Sequence, residues 1–269
     1  MPPLTIAIAG LGAIGLELAR RLDRGAEGLQ LVAASARDEG KARAALAGFR
    51  DPPPLLSLAE LAERAQVLVE ALPAAAFAAV AEPAVEAGRI LVPASVGALL
   101  SRPDLIERAR ATGARIIVPT GALLGLDAVR AAAEGPVESI TLETRKPPAG
   151  LLGAPHLVEH GIDLQGLAQP LRVFAGNALE AARGFPANVN VAAALALAGI
   201  GPERTRVEIW ADPTTSRNTH TIRVEAEAAR FTMQIEGVPS AENPRTGRLT
   251  PLSILACLRG LVSTLRVGS

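Results

Sequence analysis

Tyrosine is absent, and five Phe and one Trp are the only aromatics among 269 residues. So few flat side chains leave little surface on which nucleobases could stack. The charges also cancel, 27 Lys+Arg against 27 Asp+Glu, so no net field gathers a polyanion. Nucleic acid is therefore not an expected partner. A single cysteine, Cys257, excludes an intramolecular disulfide framework and a thiolate zinc cluster. It fits a reducing compartment, and a cytoplasmic location is expected. No apolar run approaches the roughly 18 residues that a membrane-spanning helix needs, so no membrane is expected as a partner. Leu4–Ala9, the first apolar run, is short, lacks a basic flank and stops at Gly10, which suits a buried strand better than a signal peptide. Lysine is scarce as well: Lys41 and Lys146 stand alone among the arginines.

What is present is apolar. Hydrophobic residues make up 49% and charged residues 20%, enough to bury a core and too little charge for global disorder. The length suits one large domain or two modest ones, at roughly 100–200 residues each. Through the first half, short apolar runs alternate with longer periodic segments, the βαβ signature of a parallel sheet. Strands are predicted at Leu4–Ala9, Leu29–Ser35, Val67–Ala71, Ile90–Pro93 and Arg115–Pro119. Helices are predicted at Ile14–Leu22, Asp38–Leu46, Leu58–Arg64, Phe77–Ala87 and Pro103–Ala111. Later segments alternate at period two instead: Ile140–Arg145, Arg206–Trp210, Thr219–Ala226 and Phe231–Ile235. Such alternation suits a sheet with one wet face, mostly antiparallel. Asn188–Ala198 and Leu252–Leu265 read as apolar helices. The predicted fold class is α/β, a doubly wound Rossmann sheet followed by an α+β domain. The expected boundaries are residues 1–120 with about 245–269 for the first and 121–244 for the second.

Gly10-Leu11-Gly12-Ala13-Ile14-Gly15 follows a predicted strand and opens a predicted helix. In that setting the first glycine permits the tight turn, the second admits a pyrophosphate to the backbone, and the third lets helix and strand pack closely. A dinucleotide is expected at Gly10, Gly12, Ala13, Ile14 and Gly15, with its phosphates on the helix N-terminus. An acid about 20 residues later would accept the ribose hydroxyls of NAD. That window holds Ser35, Ala36 and Arg37, with Asp38 slightly late. Nothing there repels a 2′-phosphate, and Arg37 is placed to pair with one, so NADP is expected to be accepted beside NAD. The plainer alternative makes Arg37 an exposed residue at a helix start.

A nicotinamide enzyme needs a group that moves protons near neutrality, and histidine is the usual one. Of His156, His160 and His220, the last lies in Asn218-Thr219-His220-Thr221-Ile222, where a loop enters a predicted strand. Strand-end histidines are often plain surface residues, so this position alone does not settle its role. His156-Leu157-Val158-Glu159-His160 has the H-x-x-E-H spacing of an inverted zincin. Pro155 and Gly161 confine it to little more than one helical turn, with no defined third ligand. No metal is expected there, and a zinc metallopeptidase is the remote reading.

Taken in order, several short motifs resemble the L-aspartate dehydrogenase family over nearly the whole chain. They are Gly10–Gly15, Val67–Ala71, Ser95–Leu99, Thr120–Ala122, Thr144–Pro148, Pro186–Ala192, Ala211–Pro213, Asn218–His220, Asn243–Thr246 and Leu249-Thr250. The resemblance implies a Rossmann domain plus an α+β domain that forms the catalytic cleft and a homodimer contact. It implies that His220 is the active-site residue and that Ala122 and Asn190 contact the nicotinamide coenzyme. The implied activity converts L-aspartate through iminoaspartate to oxaloacetate and ammonia, or the reverse, and serves NAD biosynthesis. Thr120-Gly121-Ala122-Leu123 stands where the family usually has Ser-Gly-Ala-Ile, and Thr keeps the hydroxyl. Leu151–Leu167 aligns poorly. On the residues alone, Asn190 is also readable as a structural amide, with Asn188 the better helix cap. Arg145 and Lys146, at a strand end before Pro147-Pro148, suit substrate carboxylates or simple solvated charges equally. Two rival classes remain: a related amino-acid, imine or hydroxy-acid dehydrogenase, and a nucleotide-binding regulator without catalysis.

Overall fold

A computed structural model describes residues 2–186, 189–240 and 247–268. The chain divides into two compact units, Met1–Gly121 with Thr250–Val267, and Ala122–Leu249 with Gly268–Ser269.

The first unit runs β1 (Leu4–Ala9), α1 (Ala13–Asp23), β2 (Leu29–Ser35), α2 (Glu39–Leu46), α3 (Leu58–Arg64) and β3 (Val67–Glu70). It continues with α4 (Ala78–Glu86), β4 (Ile90–Pro93), α5 (Val96–Leu100), α6 (Pro103–Thr112) and β5 (Arg115–Ile116). The second unit holds α7 (Leu126–Ala133), β6 (Val137–Lys146), α8 (Pro155–Glu159), β7 (Leu171–Asn177), α9 (Ala178–Gly184), α10 (Asn190–Ala198), β8 (Thr205–Ala211), β9 (Asn218–Ala226) and β10 (Arg230–Gly237). Helix α11 (Leu249–Val262) then returns the chain to the first unit.

Strands of the first unit are parallel in the order β2-β1-β3-β4-β5. Beyond β2, Ala34 makes an isolated parallel bridge to Leu55, with Leu56 N donating to Ala34 O at 2.9 Å. Leu55 is thus the stub of a further strand, and including it gives the outer-to-outer order of a dinucleotide-binding sheet, 3-2-1-4-5-6. The Pro52-Pro53-Pro54 run ahead of it supplies no N–H groups, which keeps the stub from lengthening.

Apolar residues cover both faces of this sheet. Ile6, Ile8, Val67, Val69 and Val92 pack on one side against Leu18 and Leu22 of α1 and Ile254 and Leu258 of α11. Ala7, Ala9, Ala33, Leu68 and Leu91 pack on the other against α3, α4 and α6. Alanine on the second face lets helices approach closely. Burial on both sides explains why these strands read as continuous apolar runs.

In the second unit the order is β10-β9-β6-β8-β7. Three pairings are antiparallel, while β6 and β8 run parallel, so the sheet is mixed. Helices α7, α9 and α10 lie on its inner face. Strand β6 alternates along its length: Ile140, Leu142, Thr144 and Lys146 are buried, and Thr141, Glu143 and Arg145 are half-exposed.

The structure departs from the sequence expectations in one strand's length and in several short elements. The strand expected at Arg115–Pro119 is only Arg115–Ile116, because it leaves the sheet after Ile117 N donates to Leu91 O. Ser95–Leu99, which entered only as a motif and was given no helix, is largely the short helix α5. Strand β7 was not anticipated: a register shift between Arg172 and Phe174 breaks the period-two pattern that would have revealed it. Helices α7 and α9 were also missed, although the Asn177–Glu180 capping box of α9 is a readable start signal. The Asn188 cap and the Asn243–Thr246 motif lie outside the described residues.

Candidate active site

The glycine loop joins β1 to α1 at the carboxyl edge of the parallel sheet. Gly10 has φ +98°, and a Cβ there would meet Ala71 O at 2.6 Å, so both its conformation and its surroundings require glycine. A Cβ on Gly15 would sit 1.8 Å from Gly10 O, which explains the close helix–strand approach. Gly12 differs. A Cβ there would meet nothing within 4 Å, and its φ is −79°. No contact within the protein therefore explains this glycine, whereas a ligand lying on the α1 N-terminus does. Ala13 and Ile14 open that helix with no side-chain cap, which leaves its first N–H groups facing the same ground. The loop thus fits the phosphates of a dinucleotide.

The same edge is braced by Glu70, fully buried at the end of β3. Its carboxylate accepts Leu72 N at 2.8 Å, Ser95 N at 2.9 Å and Ser95 Oγ at 3.0 Å. Burial is the largest influence and lifts its pKa above the usual value, with those hydrogen bonds pulling against it. This knot ties the end of β3 to the turn after β4, and it accounts for two of the short motifs in the sequence.

Arg37 is exposed in the bend between β2 and α2. Asp38, the late acid, is committed elsewhere: it caps α2 by accepting Lys41 N at 3.0 Å. Ser35 is buried, and its carbonyl accepts Gly10 N at 2.9 Å.

In the second unit, antiparallel pairing sets His220 of β9 directly opposite Thr144 of β6. Thr144 Oγ1 lies 3.1 Å from His220 Nδ1. That contact engages Nδ1. His220 is only 3% exposed. Burial, with a smaller push from the Lys146 charge, takes its pKa down to about 3. The imidazole is thus neutral at physiological pH, the form that accepts a proton.

Lys146 is two residues further along the same face of β6 and is 7% exposed. Burial alone takes its pKa down to about 8. Arg145 points the other way. It pairs with Glu143 at 2.7 Å and Asp212 at 3.3 Å, and its guanidinium lies 4.7 Å from the centre of the Trp210 ring. The two adjacent cations that sequence treated alike are thus separated by the pleat, and only Lys146 joins His220.

Val189 and Val191, on either side of Asn190, line a void with Thr144, Lys146, Phe185 and Ile209. Its volume is about 10 Å³, room for one water at most. Asn190 itself is exposed as the first residue of α10. Ala122 is half-buried in the turn after Gly121. No hydrogen bond described joins Ala122, Asn190 or Arg37 to His220.

His156 lies in α8 and His160 caps its C-terminal end. Their rings are 4.0 Å apart between centroids and tilted by 30°, and His156 packs edge-on to Phe174. His160 Nδ1 lies 2.9 Å from His156 O, and α8 is five residues long. Among the described residues no group of three or more His, Cys, Asp or Glu is placed to hold a metal ion.

A family model described as aspartate dehydrogenase, C-terminal, matches residues 127–261, and one described as homoserine dehydrogenase, NAD binding domain, matches residues 10–119. The chain belongs to the L-aspartate dehydrogenase family. It is 54% identical to an L-aspartate dehydrogenase of Bradyrhizobium diazoefficiens, over 99% of this chain and 94% of that one. It is 51% identical to L-aspartate dehydrogenase 3 of Bordetella bronchiseptica, over 99% and 98%. The crystal structure of aspartate dehydrogenase from Thermotoga maritima superposes with a TM-score of 0.76 at 25% identity, covering 98% of this chain and 99% of that one. Membership makes the chain a dehydrogenase with a domain for a pyridine nucleotide.

Proposed function

We propose that this protein is an NAD(P)-dependent L-aspartate dehydrogenase that interconverts L-aspartate with oxaloacetate and ammonia. The observation that carries the reading is a buried, neutral His220 held by Thr144 on the covered face of the second sheet, in a chain whose relatives bear that name. The bound nicotinamide supplies the hydride acceptor. Gly10, Gly12, Ala13, Ile14 and Gly15 hold the pyrophosphate, and Ala122 and Asn190 contact the coenzyme further along. Arg37 pairs with a 2′-phosphate, so NADP is used as well as NAD.

His220 Nε2 takes the proton from the substrate ammonium, because only a neutral amine can push hydride off Cα. Loss of that hydride leaves iminoaspartate. His220 then helps water add to the imine carbon, and collapse of the adduct releases ammonia and oxaloacetate. Dry surroundings favour the neutral imidazole and keep the attacking water confined. Proton transfer of this kind accounts for about 10²–10⁴ in rate. The protein is further proposed to act in the cytoplasm as a homodimer, with iminoaspartate feeding NAD biosynthesis.

The test follows oxidation of NADH or NADPH with oxaloacetate, with and without ammonia. Oxidation only with ammonia is expected. Oxidation independent of ammonia would replace this reading with a hydroxy-acid dehydrogenase. His220→Ala should lower kcat by about 10²–10⁴ with coenzyme affinity unchanged, and an unaltered kcat removes His220 from the chemistry.

A further inference from the structure

We propose that Lys146 is the site at which a substrate carboxylate binds, its ammonium forming one polar row with Thr144 and His220. The inference rests on the aspartate reading for the identity of the substrate, and on geometry for the site itself.

The pleat places the row. Ile140, Leu142, Thr144 and Lys146 share the inner face of β6, and Ile222 and His220 face them from β9 as partners of Leu142 and Thr144. Toward one end, the β6 and β9 positions on this face, Ile140, Leu142, Ile222 and Val224, are apolar. Toward the other, the side chains change in order to hydroxyl, imidazole and ammonium. Successive same-face residues are spaced by about 7 Å along a strand, a gap that a four-carbon acid and a lysine side chain together can cross. A carbon held at His220 therefore has a carboxylate within reach of Lys146.

Charge points the same way. Lysine is almost never buried without a charge-related reason, and this chain uses lysine only twice. Register sets Ile235 of β10 beside His220, and Ile209 and Ala211 of β8 beside Thr144 and Lys146, while Ala181, Phe185, Val191 and Ala192 line the small void with Lys146. None of these titrates. The ammonium and imidazole are thus the only ionisable groups of the row among the described residues. An arriving carboxylate would stabilise the ammonium, and it would offset the repulsion that helps keep His220 unprotonated. Binding the anion and tuning the base become a single event.

The test titrates succinate, a C4 dicarboxylate with no reacting amine, into the full chain with and without saturating coenzyme, read by calorimetry across pH. Wild type should bind it with an affinity that falls about tenfold per pH unit once the ammonium loses its proton, above about 8. Lys146→Met should weaken binding by about 30–100-fold and flatten that limb, whereas Lys146→Arg should retain binding and move the limb to higher pH. Butyrate locates the carboxylate. If Lys146→Met weakens butyrate and succinate alike, Lys146 reads the group beside the reacting carbon. If only succinate suffers, it reads the far one. Either result supports the proposal. A folded Lys146→Met protein that binds succinate like wild type, with the same pH limb, overturns it. Replacing a buried charge by an isosteric apolar residue often leaves stability intact or raised, so that variant should fold. The underlying reading fails separately: a wild-type protein that binds succinate through Lys146 yet never oxidises aspartate keeps the anion site and loses the activity.

Discussion

In the first unit both faces of the sheet are apolar and every strand is parallel, while in the second one face is apolar and the other carries ionic side chains. On that outer face Arg223 meets Glu143 at 3.2 Å, Arg172 meets Glu208 at 3.4 Å, and Arg145 stacks on Trp210. These pairs are half-exposed, and each contributes little stability. The contrast teaches where chemistry can enter each fold. A sheet covered on both sides has only its carboxyl edge to offer, and there the glycine loop presents backbone N–H groups. A sheet with one covered side can place side chains in a dry layer, and there His220 and Lys146 sit.

The comparison breaks most sharply at the glycines. Gly15→Ala drives a Cβ into Gly10 O and should leave the first unit unfolded or severely destabilised, by more than about 3 kcal/mol, in thermal denaturation. Gly12→Ala meets no protein atom, so it should melt within about 0.5–1 kcal/mol of wild type while losing coenzyme affinity, read by fluorescence titration. If Gly12→Ala binds coenzyme normally, the loop is a turn and nothing more.

Next in size is the apolar covering itself. Leu258 on α11 is fully buried against the first sheet, and Leu258→Ala should cost about 2–5 kcal/mol in chemical denaturation. Arg223→Ala on the ionic face of the second sheet should cost less than about 1 kcal/mol.

The dry polar row should show itself in the pH dependence of stability. His220 titrates near 3 in the folded chain against 6.5 ordinarily. Between those values the unfolded chain binds a proton that the folded one refuses, so stability falls as pH drops through that window. Replacing His220 by Asn should flatten this part of the curve, measured by urea denaturation at several pH values. An unchanged slope would mean that the imidazole is not desolvated.

The smallest expected effect is at the edge of the first sheet. Arg37→Ala should weaken NADP by about tenfold and NAD hardly at all, consistent with one exposed charge-assisted contact. Equal losses would remove Arg37 from the site.

Much of this architecture was legible from periodicity. Leu4–Ala9, Leu29–Ser35 and Leu58–Arg64 appear with the bounds expected of them. Strand β7 was hidden because its register shift interrupts alternation, and α5 because five residues carry too little helical period to see. The glycine loop was legible as a strand-to-helix turn because Gly10 and Gly15 stand where a Cβ would clash. Lys146 was passed over beside Arg145, although alternation from Ile140 onward already put the two on opposite faces. Thr144 could not be found from sequence, since its importance comes from a register that pairs residues 76 positions apart.

Helix α11 has a consequence in time. During synthesis the surface formed by Ile6, Ile8 and Val69 leaves the ribosome well over a hundred residues before Ile254 and Leu258, the side chains that will cover it. The nucleotide-binding half is begun first and sealed last. Until α11 emerges it carries an open greasy flank, a natural handle for chaperones and a weak point for any shortened transcript.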